Sequence, residues 1–280
     1  MPIGDAADLS PRALATLAEV DLIACEDTRR IAPLLAANSI RTRTVSYFEH
    51  NEEVRTPELI ERMRRGERVA LVTDAGTPAI SDPGFRLVRA ALDAGIEVGA
   101  IPGPSAVVAA LSIAGLPTDR FTFEGFLSAK AGARRNELKA LERERRTMVF
   151  FEAARRLGGT LSDMAEIFGA SREGVVAREI GKTYEEVVRG RLGELAARFT
   201  ATPARGEITL VVAGAGREQG AGAGDLVGAS ALTTDMLCAA GLSLKQASSV
   251  IAHLRGRSRR EIYQAALASR RTRQDESQND

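Results

Sequence analysis

Val69-Ala70-Leu71-Val72-Thr73 (VALVT) runs directly into Asp74–Gly84 (DAGTPAISDPG), and a helical pattern begins at Phe85. The apolar run reads as a buried strand and the Gly/Pro-rich stretch as a loop of unusual backbone. Leu87, Val88, Ala91 and Leu92 then recur at helical spacing. A strand, loop and helix in this order belong to an open parallel sheet, which binds ligands at the carboxyl ends of its strands. The loop has no basic residue and neither a GxxxxGK[ST] nor a GxGxxG pattern, so it is not a phosphate cradle. A rigid structural turn is the alternative reading. Ile101-Pro102-Gly103-Pro104-Ser105-Ala106 repeats the placement: Val98–Ile101 reads as a strand, and Ser105–Ala114 as a helix whose small residues allow a ligand close to the backbone. Tight helix-to-sheet packing would explain the same residues. Two such loops on one sheet open on the same edge and favour a site.

Outward from these loops the rhythm persists. Val20–Ala24 and Thr44–Phe48 are strand-like, while Asp27–Ala37, Glu52–Arg65 and Phe85–Ala94 carry helical spacing. The first hundred residues therefore read as a largely parallel sheet with helices on its faces. From Phe121 the strands lengthen: Phe121–Phe126, Thr147–Phe151, Val175–Ile180, Tyr184–Gly190 and Gly206–Ala213, with helices near Arg134–Arg145 and Leu157–Phe168. Val175–Gly190 reads as a hairpin turning at Gly181-Lys182-Thr183, which makes the second lobe mixed or antiparallel. The expected division is an N-terminal lobe over 1–118, a C-terminal mixed α/β lobe over 119–214 and a Gly/Ala-rich linker over 215–228. A basic helical module over 229–272 and a polar, disordered tail over 273–280 follow. Within the module, helices are expected over Ala231–Ala240, Leu244–Leu254 and Arg259–Ala268, with Ser243 and Ser258 as N-caps.

Composition removes several function classes. With 38 Lys+Arg against 37 Asp+Glu the net charge is +1, so no global field draws the chain to nucleic acid or membrane. Cys25 and Cys238 stand far apart without Cys or His neighbours, which excludes a disulfide scaffold and a recognisable zinc site and fits a reducing cytoplasm. Val98–Thr118 is uncharged and long enough to span a bilayer, but Pro102–Pro104 and Gly115–Pro117 break it into strand, loop and helix. No signal peptide or membrane span is expected. Arg255, Arg257, Arg259, Arg260, Arg270, Arg271 and Arg273 face one acid, Glu261, and read as an RNA-binding patch or a solvated helical face.

An ordered set of motifs resembles one family. SPRAL (10–14), CEDTRR (25–30), EHNE (49–52), VTDAGTPAISDPG (72–84), IPGPSAVVAALSIAGLP (101–117), FEGFL (123–127), REIGKTYEE (178–186), RG (189–190) and GE (206–207) are similar to the bacterial small-subunit ribosomal RNA methyltransferase I family of the tetrapyrrole-methylase superfamily. The resemblance runs from Pro2 to about Ala213. It implies a two-lobed tetrapyrrole-methylase-like α/β fold with S-adenosylmethionine as methyl donor, no metal and a homodimeric state. The implied substrate is the ribose 2′-hydroxyl of a cytidine in 16S rRNA of the small ribosomal subunit. Carried onto this chain, it assigns the donor to Pro2, Gly4, Asp74, Ala75, Gly76, Thr77, Ile80, Ser81, Asp82, Pro83, Gly84, Pro102, Gly103, Ser105 and Ala106.

Methyl transfer from a sulfonium is dominated by positioning, and a ribose hydroxyl gains from a general base or a charge that stabilises its alkoxide. Asp27, His50 and Lys182 are the candidates, with Glu26 and Glu179 beside them. Relatives carry an apolar strand just before the turn that corresponds to Pro2–Gly4, so a first strand is expected to be missing here. Glu152–Arg156 (EAARR) departs from the family's Ser-Pro-His-Arg run, and Gly181 stands for a threonine. Two other functions compete: a tetrapyrrole C-methyltransferase, which has no use for a basic tail, and a non-catalytic RNA- or ribosome-binding factor.

Overall fold

The computed structural model describes residues 1–216, 233–239, 241–255 and 258–276. The chain divides into two compact units, Met1–Gly216 and Arg217–Asp280.

The first unit holds two sheets. In the first, β1 (Leu22–Cys25) pairs in parallel with β2 (Thr44–Ser46) on one side and β3 (Val69–Val72) on the other. The period of two decides how it is covered. Leu22 and Ala24 face a core built with α3 (Glu52–Arg64) and α4 (Phe85–Asp93), while Ile23 and Cys25 face one built with α1 (Pro11–Glu19) and α2 (Thr28–Ala37). All four β1 residues are buried, as a strand covered on both faces requires.

Val98–Ile101, expected as a further strand, forms none. Among the described residues its backbone joins no ladder, β3 ends the sheet, and Val98 and Ile101 stay exposed. An apolar β-branched run becomes a strand only where a neighbour accepts its backbone hydrogen bonds. Helix α1 falls outside the sequence expectations, although Ser10 caps it by accepting from the Ala13 N–H at 3.1 Å and Pro11 opens it.

The second sheet has the order β4-β5-β8-β6-β7, from β4 (Phe121–Phe126), β5 (Thr147–Ala153), β6 (Glu173–Arg178), β7 (Glu186–Arg191) and β8 (Glu207–Val212). β4 and β5 are parallel and the other pairs antiparallel, so the sheet is mixed, with β6 and β7 as the expected hairpin. Met148, Phe150, Leu210 and Val212 face α7 (Leu157–Phe168) and α8 (Leu192–Ala201), with α6 (Ala131–Leu141) beside them. Val149, Val175, Ala177 and Val211 face α5 (Ala106–Ala114) instead. By packing, α5 therefore belongs to the second sheet, although it precedes residue 118. α6 begins earlier than the Arg134 expected, and α8 was not foreseen.

The second unit contains α9 (Thr234–Ala239), α10 (Leu244–Arg255) and α11 (Arg259–Glu276). Ser243 and Ser258 accept from the N–H groups of Gln246 and Glu261, at 3.3 and 3.4 Å, as N-caps do. Ile251, Ala252 and Ile262 form its small core. Of the linker expected over 215–228, residues 217–228 lie outside the described residues, as do 231–232 and 240 of the first expected helix and 277–280 of the tail; residues 273–276, expected in the disordered tail, continue α11. None of the described helices is long and apolar enough to cross a membrane.

Candidate active site

Residues 73–84 leave β3 on a backbone that few side chains tolerate. Gly76 has φ +75° and Gly84 φ +142°, and the non-glycine residues Ala79 and Ser81 also sit at positive φ, 68° and 62°. Such positions persist where surroundings over-determine them, and they mark ligand clamps. Here Ala79 N–H donates to the Pro83 carbonyl at 3.3 Å, and Gly84 N–H to the Glu52 carboxylate at 2.9 Å. Gly76 N–H donates to the Met1 carbonyl at 3.1 Å, and the Thr77 hydroxyl lies 3.5 Å from the Pro104 carbonyl. The two Gly/Pro loops thus lie side by side.

They form one wall of a cavity of about 360 Å³. From the first sheet's side come Ile3, Ala75, Gly76, Thr77, Ile80, Ser81 and Asp82, with Ser105 and Ala106 at the start of α5. The opposite wall is made by the ends of β4, β5 and β8, through Phe126, Phe151, Glu152, Ala153 and Gly206–Thr209. A smaller cavity of about 200 Å³ adjoins the same loop and is lined by Pro2, Gly4, Cys25, Arg30 and Asp74 among others. Of the residues expected to hold the donor, Pro2, Gly4 and Asp74 line this smaller cavity, while Pro83, Gly84, Pro102 and Gly103 line neither. Gly84 caps the start of α4 and donates to Glu52 of α3, and Pro102 and Gly103 are exposed.

The charges around the larger cavity are arranged by sign. Asp82, Glu152 and Glu207 line it, and no Lys or Arg among the described residues does. Glu152 is 2 % exposed and fully engaged: it accepts from the Ala153 N–H at 2.7 Å, from Arg156 at 2.6 Å and from the Thr160 hydroxyl at 2.5 Å. Burial, helped by the charges of Asp74 and Glu207, pushes the Asp82 carboxyl above its ordinary range against a hydrogen bond from Thr73. Burial also raises Glu26, with Asp74 and Asp82 adding to the effect.

Lys182 lines neither cavity but is tied to Glu207, which lines the larger one. Its ammonium donates to Glu207 at 2.8 Å and Glu179 at 3.0 Å. Burial works against the charge, but those two carboxylates outweigh it and raise the pKa, so the group stays protonated and acts as a cation rather than a base. Glu179 is held below the usual carboxylate range, first by the Glu207 N–H.

Asp27 and His50 are not brought to either cavity. Asp27 caps α2 by accepting from the Arg29 N–H at 2.9 Å, and that residue's hydrogen bonds hold its pKa down to about 2. His50 is exposed in the turn before α3, edge-on to Phe48. Sequence reasoning did not single out the far wall as a site. FEGFL and GE carried family resemblance, but nothing in their composition shows that β4, β5 and β8 end at one place. That follows only from the strand order.

This arrangement is that of a class. The model of the Tetrapyrrole (Corrin/Porphyrin) Methylases matches residues 1–196. A crystal structure of uroporphyrin-III C-methyltransferase from Thermus thermophilus, complexed with S-adenyl homocysteine, shares the fold at TM-score 0.53 and 20 % identity, over 76 % of this chain and 94 % of that one. Within the class the likeness is much closer to the ribosomal RNA small subunit methyltransferase I of Pseudomonas aeruginosa. Identity there is 46 % over 268 residues, covering 95 % of this chain and 94 % of the relative. The Mycobacterium tuberculosis protein of the same name is 47 % identical over 273 residues, or 96 % and 93 % of the two chains. The chain belongs to the ribosomal RNA small subunit methyltransferase I family.

Proposed function

We propose that this protein transfers the methyl group of S-adenosylmethionine to the ribose 2′-hydroxyl of a cytidine in 16S rRNA, acting on the small ribosomal subunit in the cytoplasm as a homodimer. The observation that carries the reading is the lining of the larger cavity: carboxylates, small residues and apolar side chains such as Phe126, Phe151 and Ile208, with no cationic side chain among the described residues. That lining suits a cationic sulfonium and an uncharged nucleoside, and it disfavours phosphate-bearing cofactors. The name of the relatives supplies the substrate class.

Ala75–Thr77, Ile80–Asp82, Ser105 and Ala106 would hold the donor from one side, and Phe126, Phe151, Ala153 and Ile208 from the other. When bound, the donor supplies an activated methyl group. The protein's own work is then to position the acceptor and manage its proton. Asp82, with its raised carboxyl pKa, is suited to accept that proton, with Glu26 behind it. Lys182, fixed by Glu179 and Glu207, places a positive charge next to Glu207 in the cavity wall, from which an alkoxide would gain.

The test is methylation of unmodified small subunits with labelled S-adenosylmethionine, followed by mapping of ribose methylation. Label on a cytidine ribose is expected; label elsewhere, or none, overturns the assignment.

A further inference from the structure

The interior of the site is acidic, which poses a difficulty for a polyanionic substrate. Glu26, Asp74 and Asp82 cluster around the buried Thr73, and Glu207 adds its charge to the field at Asp82. A phosphodiester chain entering there is repelled unless cations meet it first.

Two neighbouring cations stand on the same side. Arg29 and Arg30 occupy the first turn of α2; Arg30 lines the smaller cavity together with Asp74, Pro2 and Gly4, and Arg29 precedes it in the chain. Their side chains are 88 % and 69 % exposed, yet each is fixed by one carboxylate. Arg30 Nη1 donates to Asp74 Oδ2 at 2.6 Å, while Arg29 Nε and Nη2 donate to Asp27 at 3.0 and 2.8 Å. Ion pairs so open to solvent add little to stability, so they are poor candidates for holding α2 in place. What they do achieve is orientation. A guanidinium has five N–H donors in a rigid fork, and those not spent on the carboxylate remain for a second anion.

We infer that Arg29 and Arg30 grip backbone phosphates of a single-stranded RNA segment at the mouth of the smaller cavity, with Asp27 and Asp74 as the carboxylates that orient them. The inference rests on the proposed RNA substrate and adds to it a point of contact on the first unit, separate from the arginines of the C-terminal helices. It also gives Asp27 a place beside the reaction rather than in it: a positioning residue that acts through Arg29.

The test uses the full-length chain, the double variant Arg29→Ala/Arg30→Ala and the double variant Arg29→Lys/Arg30→Lys. Binding of a short single-stranded oligoribonucleotide, and of unmodified small subunits, is measured across a potassium chloride series. Each lost phosphate contact makes the dependence of log affinity on log salt shallower by about 0.7. The alanine variant is therefore expected to show a shallower slope and weaker low-salt binding, and the lysine variant to keep the slope. Calorimetric affinity for S-adenosylmethionine should stay within about twofold, because neither arginine lines the larger cavity. Coincident slopes and affinities for wild type and the alanine variant overturn the inference. Should the wild type methylate no subunit while the slopes still separate, the proposed reaction falls and the phosphate grip stands. Should it methylate with coincident slopes, the reverse holds.

Discussion

Gly4 lies directly against Gly181: a Cβ added at Gly4 would stand 2.3 Å from the Gly181 carbonyl oxygen and 2.9 Å from the Lys182 side chain. The turn at Pro2–Gly4, which lines the smaller cavity, is thereby packed on the hairpin turn that carries Lys182 to Glu207 in the wall of the larger one. The obstacle is backbone, which cannot swing aside as a flexible side-chain end can.

Gly4→Ala should therefore cost about 1–3 kcal/mol, the range of an overpacked interior, and should also displace Lys182. Denaturant melts measure the first effect. The second would appear as lost methyl transfer beyond what the stability change explains. A variant with unchanged stability and turnover would show that the turn relaxes freely.

Gly76→Val tests the donor wall. At φ +75° a valine is strained whatever the space, and its side chain would also point toward Ile3, whose Cγ2 is 3.7 Å from an added Cβ. The left-handed conformation costs about 1–2 kcal/mol, and donor affinity should fall at least about tenfold. Calorimetric titration with S-adenosylmethionine decides it; unchanged affinity removes this loop from the site.

Glu152 is a buried carboxylate with three donors, and removing it strands Arg156, whose side chain is 19 % exposed. Glu152→Ala should destabilise the first unit by about 3–5 kcal/mol, the usual cost of breaking a buried pair from one side. Arg156→Ala should show comparable loss in the same melts. If both variants melt like wild type, the pair is not what anchors the end of β5.

Acidification should reveal Asp82. Its carboxyl is raised, so the proton-accepting form is present above that raised pKa and is lost as pH falls through it. The acid limb of the rate profile should therefore lie above the ordinary Asp value of about 3.9. Asp82→Asn should lower the rate and abolish that limb. An unchanged limb in the variant would assign it to another group, with Glu26 next to be substituted.

Deleting residues 225–280 separates the two units. Met1–Gly216 holds both sheets and both cavities, so donor affinity and its melting transition should persist. Binding to small subunits should weaken and its salt dependence become shallower, because arginines of the C-terminal helices leave with the deletion while Arg29 and Arg30 stay. Equal methylation by the shortened and full chains across a salt series would make those arginines a solvated face.

How much of this is legible in the chain depends on the range over which each feature is decided. Strands β1 and β3, the two Gly/Pro loops, the hairpin and the caps at Ser243 and Ser258 are set by neighbours in sequence, and residue pattern reveals them. α8 also had a local signal: Leu192, Leu195, Ala196 and Phe199 share one helical face, and Glu194 accepts from the Arg191 N–H at 3.0 Å. A run of strands on either side hides it. Val98–Ile101 shows the opposite error, a strand-like composition whose fate depends on a pairing neighbour. The far wall of the larger cavity could not be read locally. Phe126, Glu152 and Glu207 stand at the ends of three strands, and only the order β4-β5-β8 makes them neighbours.

The allegiance of α5 carries a mechanical consequence. Its body is seated on the second sheet through Val107, Ala110, Leu111 and Ala114, and its far end is tied there by Arg189, which donates to the Ala114 carbonyl at 3.3 Å. Its first residues, Ser105 and Ala106, nevertheless stand in the same wall as Gly76 and Thr77, which follow the first sheet. The helix is thus a lever with its fulcrum between the sheets. Were one sheet to rock on the other, Ala106 would move against Gly76 and the cavity would change width without rearrangement of either loop. The 3.5 Å approach of Thr77 to Pro104 is the contact at which such a shift would be felt first.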